Sequence, residues 1–278
     1  MRLGYHVSVS GQASSAITRG VEAGCDCIQI WPSSPRQWKP HPATEEEAKA
    51  FREARRAAGI DPVIYHGIYL VNLAAPDGGI YSRSIASLVA SLEKADAMGV
   101  DAVVAHTGNP QEKSEAWALA RIAEAVNQVL SATKNAMLLL ETTAGSGSSI
   151  GHTFEQLGRI MDEAGRPGRL GLCLDTSHVF AAGYDIRTRA GLDAATDEIE
   201  RFIGIERLKV LHLNDSLAAL GSRIDRHAHI GEGEIGLKGF AEIVNHPALE
   251  KLPGLCELPY GEGLPNDLGL LRSLSRKG

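Results

Sequence analysis

The sequence predicts an α/β fold, a single (β/α)8 TIM barrel over residues 1–278 with its active site at the C-terminal ends of the strands. Three observations predict it. Short apolar runs of 6 or 7 residues recur eight times along the chain, and helix-patterned segments lie between them. Most of these runs are apolar without alternation, as strands covered on both faces are. Eight such units occupy 278 residues, close to the roughly 250 that a barrel of this kind uses. A doubly wound open sheet is the competing architecture. No G-x-G-x-x-G follows the first strand, which weighs against its dinucleotide-binding form.

The first strand is LGYHVS (3–8), followed by a short helix over 12–23. DCIQIW (26–31) leads to TEEEAKAFREARRAAG (44–59), where Thr44 caps the helix, acids fill its first turn and Gly59 stops it. PVIYHG (62–67) precedes SRSIASLVASLEKADAMG (82–99), and AVVAHT (102–107) precedes SEAWALARIAEAVNQVLSATK (114–134); both helices carry apolar residues at helical spacing. AMLLLET (136–142), LGLCLD (170–175), LKVLHLN (208–214) and GLCELP (254–259) complete the strands, with shorter helices over 153–164, 193–203, 238–245 and 266–275. Gly24, Gly59, Gly99 and Gly165 stand where helix exits are expected.

Hydrophobic residues make up 44% of the chain and charged residues 22%, a globular composition. There is no run of about 18 apolar residues, so no membrane partner is expected. The start, MRLGYHVSVSG, lacks a signal-peptide apolar region and leads to the expectation of a cytoplasmic protein. Four cysteines without a C-x-x-C pair read as buried, reduced thiols. The formal net charge of −6 argues by itself against nucleic acid. Bound cations would reverse the local sign.

In a barrel, chemistry belongs at the strand ends and in the loops after them. His66, His106, Glu141 and Asp175 close strands 3 to 6, and His178 follows Asp175 by three residues. His212 lies near the end of strand 7, Asp225 and His227 in the next loop, and Glu257 near the end of strand 8. A lone strand-end histidine is usually a hydrogen-bonded core residue, but six adjacent strand ends carrying such groups do not fit that explanation. Four carboxylates gathered in one mouth would repel and lose solvation unless cations joined them. Three divalent ions would leave a net charge of about +2 and a pocket attractive to a phosphodiester. Imidazole with carboxylate suits Zn2+ best, with Mn2+ or Fe2+ also compatible.

Four segments carry a specific resemblance: YHGIYLVNLA (65–74), LETTAGSGSSIG (140–151), GLCLDTSHVFAAGYD (171–185) and HLNDSLAALGSRIDRHAHIGEGEIG (212–236). Through them, and nearly end to end, the chain resembles the endonuclease IV family of apurinic/apyrimidinic (AP) endonucleases. The resemblance implies a DNA-repair enzyme on a (β/α)8 barrel with three Zn2+. Such an enzyme cleaves double-stranded DNA 5′ of an abasic site with a metal-activated hydroxide, leaving a 3′-hydroxyl and a 5′-deoxyribose phosphate. It implies that His66, His106 and Glu141 hold one ion. Glu141 would bridge to a second, held with Asp175, His212 and Glu257, and His178, Asp225 and His227 would hold the third. Glu257 would also position or deprotonate the attacking hydroxide, which makes Glu257 and Glu141 the catalytic carboxylates. Arg36, Tyr69 and Leu70 match the side chains that the family inserts into DNA at the lesion, where an aromatic and an apolar wedge fill the space of a flipped-out sugar.

Three positions depart from the family's pattern. Ser177 stands where Cys is usual, Thr142 where Asn is usual, and Leu217 where Lys or Arg is common. None is among the nine ligands. Lys39, Arg187, Arg189, Arg223 and Arg226, in loops after strands, are candidate phosphate contacts. Of the remaining histidines, His6 is the one expected to face the pocket, and Asp215 is expected to order its loop by hydrogen bonds. The competing readings are a xylose-isomerase-like sugar isomerase or epimerase and a lesion-binding protein without turnover. The third ligand group and the wedge residues argue against the first; the complete ligand set argues against the second. Nothing marks an oligomer interface, so a monomer is expected.

Overall fold

The computed structural model describes residues 1–34 and 37–276. Arg36, expected to meet DNA, lies outside the described residues. Eight parallel strands close on themselves: β1 (Arg2–His6), β2 (Cys27–Ile30), β3 (Val63–His66), β4 (Ala102–His106), β5 (Met137–Glu141), β6 (Leu170–Asp175), β7 (Leu208–His212) and, last in the chain, β10 (Pro253–Cys256). β1 pairs with both β2 and β10, which leaves no free edge in the barrel. The expected strands are all present: β6 keeps its expected bounds, β1 and β10 begin one residue earlier than expected, and all but β6 are shorter than the apolar runs.

The helices α1 (Ser15–Glu22), α2 (Glu45–Ala58), α3 (Gly78–Met98), α4 (Glu115–Ser131), α5 (Phe154–Glu163), α7 (Arg189–Phe202), α8 (Gly236–Val244) and α9 (Asp267–Leu274) lie between and after the strands. Their starts follow local chemistry. Thr44 Oγ1 accepts from Glu47 N at 3.1 Å, and Ser114, Thr153 and Thr188 cap α4, α5 and α7 in the same way. Each cap satisfies one orphan N–H and contributes about 1 kcal/mol. Gly59 and Gly99 end α2 and α3 in the left-handed conformation, as their positions predict.

Besides a single 3-10 turn over Ile205–Arg207, two elements were not expected. α6 (Thr176–Ala182) begins directly after β6, with Asp175 Oδ1 accepting from His178 N at 2.8 Å as its cap. A small antiparallel ribbon, β8 (Asp215–Ser216) with β9 (His227–Ala228), folds the long loop after β7 back over the barrel mouth. α7 also starts four residues earlier than the pattern indicates, at Arg189.

Side chains on a strand alternate between its two faces. One face packs into the layer between sheet and helices, with Tyr65, Phe51, Phe154 and Phe240 among its large buried residues. The other face builds a separate inner cluster of Cys27, Ile64, Ala102, Val104, Leu139, Cys173, Val210 and Leu255. Gly4 takes the equivalent place on β1; a Cβ there would stand 1.7 Å from the Cys27 carbonyl oxygen. Among the described residues, no helix is long and apolar enough to cross a membrane.

Candidate metal centre at the barrel mouth

Two residues after each inward-packed position the same face of the strand reaches the barrel mouth. Ile64 is followed by His66, Val104 by His106, Leu139 by Glu141, Cys173 by Asp175, Val210 by His212 and Leu255 by Glu257. Register sets the neighbours: His106 pairs with Glu141, and Asp175 with His212. The same spacing brings His6 after Gly4 and Gln29 after Cys27, so all eight strands contribute a polar residue to one ring. His178 enters from α6. Asp225 and His227 enter from the loop that the ribbon folds inward.

These side chains converge. Glu141 Oε2 lies 3.2 Å from His66 Nε2 and 3.4 Å from His106 Nε2, and its Oε1 lies 3.1 Å from His212 Nδ1. His212 Nδ1 is also 3.5 Å from Glu257 Oε1 and 3.9 Å from Asp175 Oδ2. Asp225 reaches both outer histidines, with Oδ2 3.2 Å from His178 Nε2 and Oδ1 3.2 Å from His227 Nε2.

Three donor groupings have the closeness a metal ion needs: His66, His106 and Glu141; Glu141, Asp175, His212 and Glu257; and Asp175, His178 and His227. The first two coincide with groups expected from sequence. In the third, Asp175 stands with the two histidines in the place expected for Asp225. Asp225 nonetheless lies within 3.2 Å of each of them. A further grouping joins His66, His212 and Glu257 across the ring.

The donor chemistry fits cations. His66 Nδ1 donates to the Gly67 carbonyl at 2.6 Å, and His178 Nδ1 donates to the Thr142 carbonyl at 2.8 Å. Each bond turns Nε2 toward a carboxylate oxygen, with a lone pair there whenever the ring is neutral. His178 Nε2 is moreover 3.4 Å from His227 Nε2. Lone pairs at such distances repel unless a proton or metal ion lies between them.

The titration behaviour carries the same sign. Burial works to raise the Glu141 carboxyl, yet His106 and His212 outweigh it and hold it well below the ordinary range. Burial likewise opposes the ionised Glu257, but His212 leads the opposing cations and brings it to about 2. Burial lowers His178, and Asp175 with Asp225 overcomes that and lifts it to about 10. Glu141 and Glu257 thus stay charged and the donor set suits cations, with metal ions and protons able to compete for the same atoms.

Residues besides the expected ligands hold this arrangement, Asn214 and Gln29 among them without having been singled out from sequence. Asn214 Nδ2 donates to Asp175 Oδ2 at 2.7 Å and to Glu257 Oε2 at 3.1 Å, while its Oδ1 accepts from Glu257 N at 3.2 Å. Gln29 Nε2 donates to Glu257 Oε1 at 2.7 Å. Thr142 Oγ1 accepts from Asp175 N at 2.9 Å, so this side chain ties the end of β5 to β6. Ser177 Oγ is buried with no hydrogen-bond partner among the described residues. An amide or Asn in an otherwise apolar strand end is the signal that could have marked Gln29 and Asn214.

The cluster opens into a cavity of about 980 Å3, lined on one side by His6, Trp31 and Tyr69. Tyr69 is 72% and Leu70 41% exposed beside it, and the Tyr69 ring stands 4.9 Å from that of Trp31. Both expected wedge residues therefore project from the rim instead of packing beneath it. Of the candidate phosphate contacts, Arg187 is engaged by Asp185 and Arg189 by Asp193. No ion pair joins Lys39, Arg223 or Arg226 to an acid among the described residues.

Residues 17–275 match the family described as xylose isomerase-like TIM barrel. The chain is 44% identical to the probable endonuclease 4 of Chloroflexus aurantiacus, over 98% of each chain. It belongs to the endonuclease IV family. Endonuclease IV from Thermus thermophilus has the same fold with a TM-score of 0.88 and 35% identity, over 99% of this chain and 98% of that one. D-Psicose 3-epimerase from Clostridium cellulolyticum, solved with D-tagatose, aligns over 97% of this chain and 90% of that one, with a TM-score of 0.65 and 14% identity. At that identity the likeness to the epimerase is one of barrel architecture. The family found is the endonuclease IV family that the four sequence segments indicate.

Proposed function

We propose that this endonuclease IV family member is an AP endonuclease of DNA repair. It hydrolyses the phosphodiester 5′ of an abasic site in duplex DNA and leaves a 3′-hydroxyl and a 5′-deoxyribose phosphate. The observation that carries the reading is the outer histidine pair. His178 and His227, both 3.2 Å from Asp225, extend a two-centre barrel mouth into a larger cation cluster. An isomerase needs no such extension. Family membership supplies the nucleic-acid substrate.

His66, His106 and Glu141 would hold one ion. Glu141, Asp175, His212 and Glu257 would hold a second, and His178, Asp225 and His227 a third, with zinc the best match to imidazole and carboxylate donors. When bound, such ions supply positive charge for the phosphodiester and acidify water. Glu141, buried between His66, His106 and His212, ties two groups of donors together. Glu257 is ionised, reaches the cavity and is held on both oxygens by amides; it orients the attacking water and takes up its proton. Tyr69 and Leu70 fill the gap in the base stack at the lesion, a role supported by their exposure at the rim.

The test is nicking of a duplex with one tetrahydrofuran abasic analogue by zinc-loaded protein of measured metal content. The analogue cannot undergo β-elimination, so a nick means hydrolysis. About three ions per chain and a nick 5′ of the analogue are expected. One ion per chain would overturn the three-ion cluster. Fully metallated protein that binds the duplex without cutting it would favour the lesion-binding alternative, and turnover of a ketose with intact DNA the epimerase alternative.

A further inference from the structure

We propose that Gln29 is a positioning residue for this site, fixing the ring tautomer of His212 and the orientation of Glu257, with His6 as the lock that prevents its amide from turning over. Of the eight residues in the ring at the barrel mouth, Gln29 is the one that cannot ionise. It is fully buried, and its amide makes three contacts. Its Nε2 lies 2.7 Å from Glu257 Oε1 and 3.1 Å from His6 Nδ1, and its Oε1 lies 2.9 Å from His212 Nε2.

Only one assignment of these groups is consistent. Glu257 accepts and cannot donate, so the amide atom at 2.7 Å must be the NH2 group. A turned amide would set its carbonyl oxygen against a carboxylate oxygen. The second amide hydrogen then goes to His6 Nδ1, which must be an acceptor. His6 is therefore a neutral ring with its proton on Nε2, an atom buried without a partner among the described residues. On the other side the amide oxygen can only accept, so His212 carries its proton on Nε2. In the neutral ring that leaves the His212 Nδ1 lone pair facing Glu141, Asp175 and Glu257. One amide thereby assigns which nitrogen of His212 is offered to a cation and pins the carboxylate beside it. A partner that orients a metal-binding histidine in this way typically changes metal affinity or activity 10- to 100-fold.

The tautomers do not depend on the substrate; the kinetic consequence rests on the AP endonuclease reading. The experiment uses the zinc-loaded full chain, labelled with 15N, and long-range 1H–15N spectra of its imidazoles. His212 and His6 are both expected with Nε2 protonated and Nδ1 without hydrogen. Gln29→Leu should lower kcat on the tetrahydrofuran duplex by about tenfold or more, with KM changed less than about twofold, and release zinc to a weak chelator faster. His6→Asn, which keeps an acceptor oxygen near the Nδ1 position, should retain more activity than His6→Leu. A proton on Nδ1 of either ring overturns the proposal. So does an unchanged kcat in folded Gln29→Leu, or equal impairment of the two His6 variants. Wild-type protein that never nicks the duplex, with both tautomers as stated and zinc loosened in Gln29→Leu, sinks the AP endonuclease reading and upholds the role of Gln29.

Discussion

Asn214 Nδ2 donates to Asp175 Oδ2 over 2.7 Å. Its second amide hydrogen reaches Glu257 Oε2, so one side chain restrains carboxylates from two different strands. Both carboxylates point at the His212 ring. Removing the amide takes the donor from Asp175 Oδ2 and Glu257 Oε2 in a buried site, at a cost of about 1–3 kcal/mol. Asn214→Ala should therefore lose activity on abasic duplex by about 10- to 100-fold and retain less zinc after dialysis. Asn214→Asp should be worse, because it sets a third carboxylate against the other two. Wild-type turnover and zinc content in Asn214→Ala would show that the clamp is dispensable.

Asp215 is buried next door and does something different. Its two oxygens accept from the backbone N–H groups of Ser216, Gly231, Gly233, Ile235 and Gly236. A carboxylate satisfies all five because it only accepts. Asn at this position would turn an NH2 group toward N–H donors. Asp215→Asn is expected to lower unfolding free energy in urea by on the order of 3 kcal/mol and to loosen the loop that delivers Asp225 and His227. A urea midpoint unchanged from wild type would contradict this account.

Why some of the site was legible in the sequence and some was not follows from the strand period. A charged residue that ends an apolar run is conspicuous, and that exposed His66, His106, Glu141 and Asp175 at once. Counting two residues on from each inward position also reaches Gln29 and His6, but Gln29 carries no charge and sits inside DCIQIW as if it were a defect of the run. Asp215 was expected to order its loop, and it does so through backbone contacts. Short elements were invisible: α6 has seven residues and follows β6 without a linker, and the ribbon has two residues per strand. Both form because tertiary contacts hold them, with Asp175 capping one and Asp215 anchoring the other. Periodicity has too few residues to register in either.

The four thiols are buried, and this has a consequence at high pH. Burial, the main cause, pushes the Cys25 thiol up to about 11. An unfolded cysteine titrates near 8.5. The folded state thus favours the neutral thiol, and the stability this contributes is complete below about pH 8.5 and is lost as pH rises toward 11. Cys27, Cys173 and Cys256 are shifted in the same direction by burial. Urea midpoints should fall between pH 8.5 and 10.5, and Cys25→Ala should fall less steeply from its own starting value. Native protein at pH 8 should react with a thiol reagent only slowly, and completely once unfolded. Rapid reaction of native Cys25 would mean that the site opens far more often than its packing implies.

Leu217 is 62% exposed on the loop after β7, tied to Arg226 by its backbone N–H at 2.8 Å. The resemblance to the endonuclease IV family leads to the expectation of Lys or Arg at this position. A leucine there offers nothing to a phosphate, while the chain's net charge of −6 gives no general attraction to compensate. Each phosphate neutralised by a cation adds about 0.9 to the slope of log affinity against log salt for duplex DNA. Leu217→Lys should therefore bind abasic duplex more tightly at low salt and steepen the slope by about one. The gain should shrink as salt rises, because the new contact is a surface one and screened. Fold stability should hardly change, since the side chain is already in solvent. Anisotropy titrations with Glu257→Gln in both backgrounds give the slopes without turnover of the substrate. Parallel slopes would mean that DNA passes this loop without touching position 217.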